Sequence, residues 1–287
     1  MKRLALVSLL AFGLFACSHS GTPAIAARAT QPRVDSAIAR ALDGRARFEN
    51  EKARDVYRHP RETLEFIGLR EEMNVVELWA PDGYFTSILA PVLRDRGKLT
   101  VTFWDPTGDY TEKDPKARKR HMEASERFLA RLDQTPAVYG KVERVAMKPP
   151  AFAFGPDAAA DVVVTFRNIH NWIPEGYESA VFSAAFSALK PGGVPGVEEH
   201  RGPSGMTAEQ IADTGYVPED LVIALATKAG FRLAARSEIN ANPKDTKDYP
   251  SGVWTLPPVC ALKDVDRAKY EAIGESDRMT LRFVKPS

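Results

Sequence analysis

From Asn74 onward, short apolar runs alternate with longer amphipathic ones. The short runs predict strands over 74–78, 98–103, 142–145, 161–166, 193–197, 231–239 and 279–284. In the fourth, Val162, Val163 and Val164 follow one another, an apolar stretch suited to a strand covered on both faces. Helical spacing between the strands predicts helices over 85–94, 115–132, 175–189 and 218–229, with two earlier ones over 34–42 and 61–67. The last inter-strand helix opens on Val217-Pro218-Glu219-Asp220, where proline and acids suit a helix start, and stops at Gly230. Strand and helix in alternation predict an α/β fold: an open, mostly parallel sheet with helices on both faces. Ligands of such sheets bind beyond the carboxyl ends of the strands, where strand order reverses.

The first 44 residues depart from this pattern. Lys2 and Arg3 precede an uncharged apolar run from Leu4 to Phe15. That run is shorter than the roughly 20 residues a spanning helix takes. A basic start, a short apolar core and a small residue before a cut describe a signal peptide over 1–16. Leu14-Phe15-Ala16-Cys17 resembles the bacterial lipobox, whose cysteine becomes the acylated first residue. The alternative is an ordinary signal peptide cut near Cys17, leaving a free thiol. Residues 18–31 are rich in Ser, Thr, Ala, Gly and Pro and read as a tether. The expected division is a signal peptide over 1–16, acylated Cys17 with tether and helical lead-in over 17–44, and a folded domain over 45–287. The protein is then an exported lipoprotein, anchored to a bacterial envelope membrane and facing the periplasm.

Composition narrows the partners. The only other cysteine is Cys260, so a lipid on Cys17 leaves no intrachain disulfide and the core must carry stability. With 44% hydrophobic residues over 287 positions, there is material for one sizeable domain. The net charge of +1 includes Lys2 and Arg3, so the mature chain is near neutral and shows no charge excess suited to nucleic acid. The basic residues of 113–120 look like the exposed side of a helix, without an aromatic stacking partner.

Candidate chemistry gathers where strands end. The turn after the first strand is Glu77-Leu78-Trp79-Ala80-Pro81-Asp82-Gly83-Tyr84. It reads either as a ligand loop or as a tight Pro-Asp-Gly turn joining strand to helix. Asp105 ends the second strand and is either a ligand acid or a solvated residue before proline. After the fourth strand come Arg167-Asn168-Ile169-His170-Asn171-Trp172. Such polarity beside an all-valine core calls for hydrogen-bonding partners or a ligand. His170 suits a general base near neutral pH, and Asn168, with Asn171 beside it, suits orienting an acceptor. The alternative is a loop whose side chains bond its own backbone. Glu198-Glu199-His200-Arg201 forms a second polar cluster on the same expected edge, or else a charged solvated loop. Zinc-ligand spacing and a His-Glu-x-x-His helix are absent, so no metal is expected, and no Gly-x-Ser-x-Gly signals a serine hydrolase.

These residues resemble the class I S-adenosylmethionine-dependent methyltransferases. The first motif of that family is an acid followed by alternating glycines. Glu77 matches the acid and Gly83 the last glycine, while Trp79 and Pro81 replace the others. In the family an acid at the position of Asp105 accepts from the ribose hydroxyls. Leu189-Lys190-Pro191-Gly192-Gly193 resembles the turn that leads into its fifth strand. Over most of 45–287 the chain resembles, more closely, a bacterial group of predicted, often exported methyltransferases. The marks are 165–172, 189–194, 215–220, 238–254 with Asn240-Ala241-Asn242-Pro243-Lys244-Asp245, and 275–284 with Glu275-Ser276-Asp277-Arg278. Members share a tryptophan at the first glycine position but carry Gly-Gly-Gly where this chain has Pro81-Asp82-Gly83. The resemblance implies a Rossmann-like, seven-stranded class I methyltransferase fold. It implies S-adenosylmethionine as cofactor, held by Glu77, Trp79, Asp82, Gly83, Asp105, Arg167 and Asn168. It places Asn168, His170 and Asn171 at the reacting centre, with a small-molecule acceptor. The departure at 81 and 82 keeps a rival open: a non-catalytic binding or scaffold protein that retains the fold.

Overall fold

The computed structural model describes residues 31–105 and 115–287. The signal segment, Cys17 and residues 18–30 lie outside the described residues, as does part of the basic stretch 113–120. Among the described residues eight strands form: β1 (Asn74–Leu78), β2 (Lys98–Trp104), β3 (Glu143–Met147), β4 (Ala160–Phe166), β5 (Leu189–Gly202), β6 (Val217–Pro218), β7 (Arg232–Ser237) and β8 (Arg278–Val284). Before β1 lie α1 (Gln31–Leu42), α2 (Glu49–Lys52), α3 (Asp55–Arg58) and α4 (Pro60–Ile67). Next come α5 (Thr86–Leu93), α6 (Pro115–Gln134) and α7 (Pro136–Tyr139), then α8 (Ile169–Glu175) and α9 (Glu178–Ala188). The last helices are α10 (Ala208–Thr214), α11 (Glu219–Lys228) and α12 (Arg267–Ile273). None of the described helices is long and apolar enough to cross a membrane.

The sheet runs β3-β2-β1-β4-β5-β8-β7, with the two-residue β6 pairing off β5. Strands from β3 to β5 are parallel, and β8 is antiparallel to both neighbours. The seven expected strands are therefore present, and β6 is an addition. Successive strand residues point to opposite faces, which divides the core. Val76, Leu78 and Val163 pack under α8 to α11, while Val75, Val101, Val162 and Val164 pack under α1, α4, α5 and α6. Helix α1 contributes Ala37, Ile38 and Ala41 to the second of these clusters. The chain runs from β1 outward to β3, then returns to the other side of β1 with β4. The crevice between the carboxyl ends of β1 and β4 is thus the switch point where ligands bind.

Two expectations need correction. Residues 168–172 are not a loop: Asn168 stands at the start of α8, and the following helix begins at Glu178 rather than near 175. Nor is 198–201 a loop after the fifth strand, because β5 extends from Leu189 through Gly202. Its far end is paired in turn, with β8 along 196–200 and with β6 at 201–202. Glu198 and Glu199 are consequently fully buried. The Pro-Gly-Gly turn lies inside this strand span, tied to the residue just after β8 by Gly192 N–H to Lys285 O and Lys285 N–H to Gly193 O, both 2.9 Å.

Candidate functional site at the β1–β4 crevice

The loop after β1 is pinned from both neighbouring strands. Thr102 Oγ1 on β2 accepts from Trp79 N–H at 2.9 Å. From beyond β4, Asn168 Nδ2 donates to Leu78 O (2.9 Å), Trp79 O (3.0 Å) and Thr165 Oγ1 (3.1 Å). Trp79 and Gly83 both have left-handed backbone, with φ of 46° and 69°. At Trp79 that conformation costs on the order of 1–3 kcal/mol, offset by burying the ring. At Gly83 the reason for glycine is visible: a Cβ would sit 3.1 Å from Arg131 Nη1, whose guanidinium donates to Asp82 O at 2.7 Å. Beneath the loop, Glu77 is buried and accepts from Thr86 Oγ1 at 2.7 Å. Burial raises its pKa from 4.5 to about 8, so it keeps its proton at neutral pH.

On the β4–β5–β8 side the wall is charged. Arg167 also has left-handed backbone (φ 59°), and its N–H bonds Glu198 O at 2.7 Å. Burial opposes the Arg167 charge, yet Glu198, Asp82, Glu275 and Glu199 hold its pKa above the ordinary arginine value. Glu199 explains why 169–175 is helical. Its Oε2 accepts from the N–H groups of Ile169 (2.6 Å) and His170 (3.4 Å), partnering free donors of the first turn. Its Oε1 meets His170 Nδ1 at 3.0 Å and His200 N–H at 2.9 Å. A carboxylate only accepts, so the proton sits on Nδ1. His170 Nε2 then accepts from Asn171 Nδ2 at 3.1 Å. Burial, with His170, Arg167 and Arg278 nearby, holds His200 well below the ordinary histidine range, and it stays neutral.

A cavity of about 450 Å³ opens here, within the size range of small-molecule sites. Of the residues singled out by sequence, Glu77, Trp79, Asp82, Arg167, Asn168, His170 and Asn171 line it. Gly83 and Asp105 do not. Asp105 lies at the end of β2, with Lys148 Nζ 3.8 Å from its carboxylate. The rings of Trp79, Trp104 and His121 gather beside the cavity, with centroids 5.2 to 5.7 Å apart. Sequence reasoning missed Arg54, Arg58 and His121 in the lining. Trp254 and Glu275 line it too; they belong to the blocks 238–254 and 275–284, which the resemblance marks without assigning a role. Among the described residues, His170, Glu199 and His200 bring candidate metal-ligand atoms within 4.8 Å of one another. Both Glu199 oxygens are already engaged by N–H groups, so this carboxylate serves as an anchor for α8 and His170.

Neither a family model nor a curated protein matches the sequence. Solved structures do match in shape. A SAM-dependent methyltransferase from Aquifex aeolicus is 14% identical with a TM-score of 0.51, covering 88% of this chain and 98% of that one. The (4+2)-cyclase SpnF is 13% identical with a TM-score of 0.50, covering 91% and 96% respectively. The fold is that of the class I methyltransferases. A cyclase among the neighbours means that the reaction must be argued from the site, not from the fold.

Proposed function

We propose that the protein binds S-adenosylmethionine across residues 77–83 and transfers its methyl group to a small acceptor. The observation that carries this reading is the β1 loop: it takes a glycine-like path at Trp79 and Gly83 beside a cavity lined by Glu77, Asn168 and His170. The residues present fit the amino-acid half of that cofactor, with the loop backbone on one side and protonated Glu77 below. Bound there, the cofactor supplies an electrophilic methyl group. Asn168 holds the loop in place through its three hydrogen bonds, so it positions rather than reacts. His170, fixed by Glu199 through Nδ1, is the group suited to take a proton from the acceptor on Nε2, with Asn171 Nδ2 giving up its hydrogen bond to that nitrogen. Displacement in line depends chiefly on positioning, and both groups sit on rigid elements.

The aromatic packing favours a second reading. Trp79, Trp104 and His121 stand together on the β2 side of the cavity, and Asp105 is not in its lining. A non-catalytic binding protein that retains the fold accounts for that. Titration calorimetry with S-adenosylmethionine and S-adenosylhomocysteine separates the two. Replacing Pro81 and Asp82 by glycine restores a backbone N–H and removes a charge, and should tighten cofactor binding about tenfold. No heat from wild type or double variant, with circular dichroism unchanged, would leave the second reading standing.

We also propose export and acylation at Cys17, supported by Leu14-Phe15-Ala16-Cys17 behind a basic start and apolar run. Cys17→Ser should abolish labelling by a radioactive fatty acid and release the protein from membranes. Labelling that survives the substitution would refute it.

A further inference from the structure

The charges around the cavity are unequal in number. Four guanidiniums, those of Arg54, Arg58, Arg167 and Arg278, surround Glu275. Arg54 Nε and Arg58 Nε hydrogen-bond its carboxylate at 2.6 and 3.1 Å. Arg278 Nη1 and Arg167 Nη1 stand 3.3 and 3.9 Å from it. Arg278 is otherwise engaged, by Glu198 Oε1 at 2.8 Å and by Tyr57 O. The other three line the cavity. Arg58 is 2% exposed, yet among the described residues its Nη1 has no hydrogen-bond partner. Arg167 reaches Glu275 only at ion-pair distance. Asp82, on the loop after β1, brings its Oδ2 to 3.8 Å from both Arg54 Nη1 and Arg58 Nη1, beyond hydrogen-bonding reach. A buried guanidinium short of acceptors is costly, and a carboxylate or phosphate is the group whose geometry matches it.

The rest of the cavity says what else the ligand carries. Phe85 and Phe166, stacked at 3.6 Å, line it together with Trp254 and Pro257. His170 stands edge-on to Trp254, centroids 6.1 Å apart. Arg167 follows β4 and Glu275 precedes β8, so the arginine cluster lies on the side of the crevice away from β2 and Asp105. We propose that Arg58 and Arg167, with Arg54 at the lip, bind the oxyanion of the methyl acceptor, a small acid with an apolar or aromatic body. In this arrangement Asp82 is an internal competitor at the entrance. The proposal rests on the methyltransferase reading for the word acceptor, and on geometry alone for the oxyanion site.

Phenylacetate and inorganic phosphate are suitable probes, titrated into the full chain alone, with S-adenosylhomocysteine, and with methylthioadenosine, which lacks the amino-acid carboxylate. Phenylacetate should bind in all three conditions. Arg167→Gln should weaken it at least about tenfold and Arg167→Lys less, because the charge remains. Asp82→Asn, at a half-exposed side chain, should tighten it by about three- to tenfold. Tighter binding of phosphate than of phenylacetate would assign the oxyanion as phosphate within the same site. If S-adenosylhomocysteine displaces phenylacetate while methylthioadenosine does not, the arginines hold the cofactor's own carboxylate and the proposal falls. It falls equally if neither probe binds wild type or Asp82→Asn, or if a correctly folded Arg167→Gln binds both unchanged. Heat from phenylacetate that depends on Arg167, with none from S-adenosylhomocysteine, upholds the oxyanion site and removes only the reading beneath it.

Discussion

The two flanks of the crevice are built on different physics. Toward β2 and α6, Trp79, Trp104 and His121 meet ring against ring, with Phe152 and Tyr177 around Trp104. Dispersion and burial hold that flank, and such contacts add up without any one being indispensable. Toward β5 and β8, Arg54, Arg58, Arg167, Glu198, Glu275 and Arg278 depend on one another, since a buried charge is tolerated only with its partners. The first flank should yield gradually to substitution and ignore salt. The second should fail as a unit. The charged wall and the aromatic wall thus face each other across one cavity, yet answer to different constraints.

Glu275→Gln tests the charged flank hardest. It leaves Arg54, Arg58 and Arg278 short of a buried counter-charge and should cost about 3–5 kcal/mol in urea unfolding. A loss below about 1 kcal/mol would mean that these residues are not interdependent. Trp79→Gly probes the other flank. It removes a buried ring, worth about 3–5 kcal/mol, but relieves left-handed strain of about 1–3 kcal/mol, for a net loss near 2 kcal/mol. An unchanged midpoint would show that the ring only fills space. Glu77, between the flanks, supplies the pH test. Its folded pKa of about 8 lies above the ordinary 4.5, so across that window the native state holds a proton that the unfolded chain has lost. Stability should therefore fall as pH rises from 4.5 to 8, by at most about 1.4 kcal/mol per unit, and level off above. Glu77→Gln should flatten the slope, which denaturant titrations at several pH values will read directly.

The flanks also differ in how far sequence revealed them. Val162 to Val164 announce a strand covered on both faces, and the alternation around them predicts the parallel sheet. The β1 loop is equally legible, because Glu77 and Gly83 lie six positions apart in one turn. Glu198 to Arg201 left two readings open, because four polar residues in a row look solvated unless the strands that cover them are known; His200 does line the cavity. The helical start at Ile169 was hidden for the same reason: its capping carboxylate is Glu199, some thirty positions away. Arg54 and Glu275 meet across 221 residues, a separation no periodicity can register. The block Glu275-Ser276-Asp277-Arg278 stood out as unusual, but its purpose is set by partners elsewhere. Asn240 bonds Thr63 and Thr280, and Asn242 holds the carbonyls of Ile273 and Glu275.

The place of β8 bears on how the molecule comes into being. It lies between β5 and β7, and among the described residues β7 has no other partner in the sheet. A nascent chain that has not yet delivered residues up to Val284 leaves β7 unattached and one side of β5 open. The segment that brings in Glu275 and Arg278 arrives in the same late stretch. Closing the sheet and assembling the charged wall are therefore one event, dominated by contacts of long sequence separation, and such events are slow. Until then the chain carries an unpaired strand edge, the form of exposure that chaperones exist to shield.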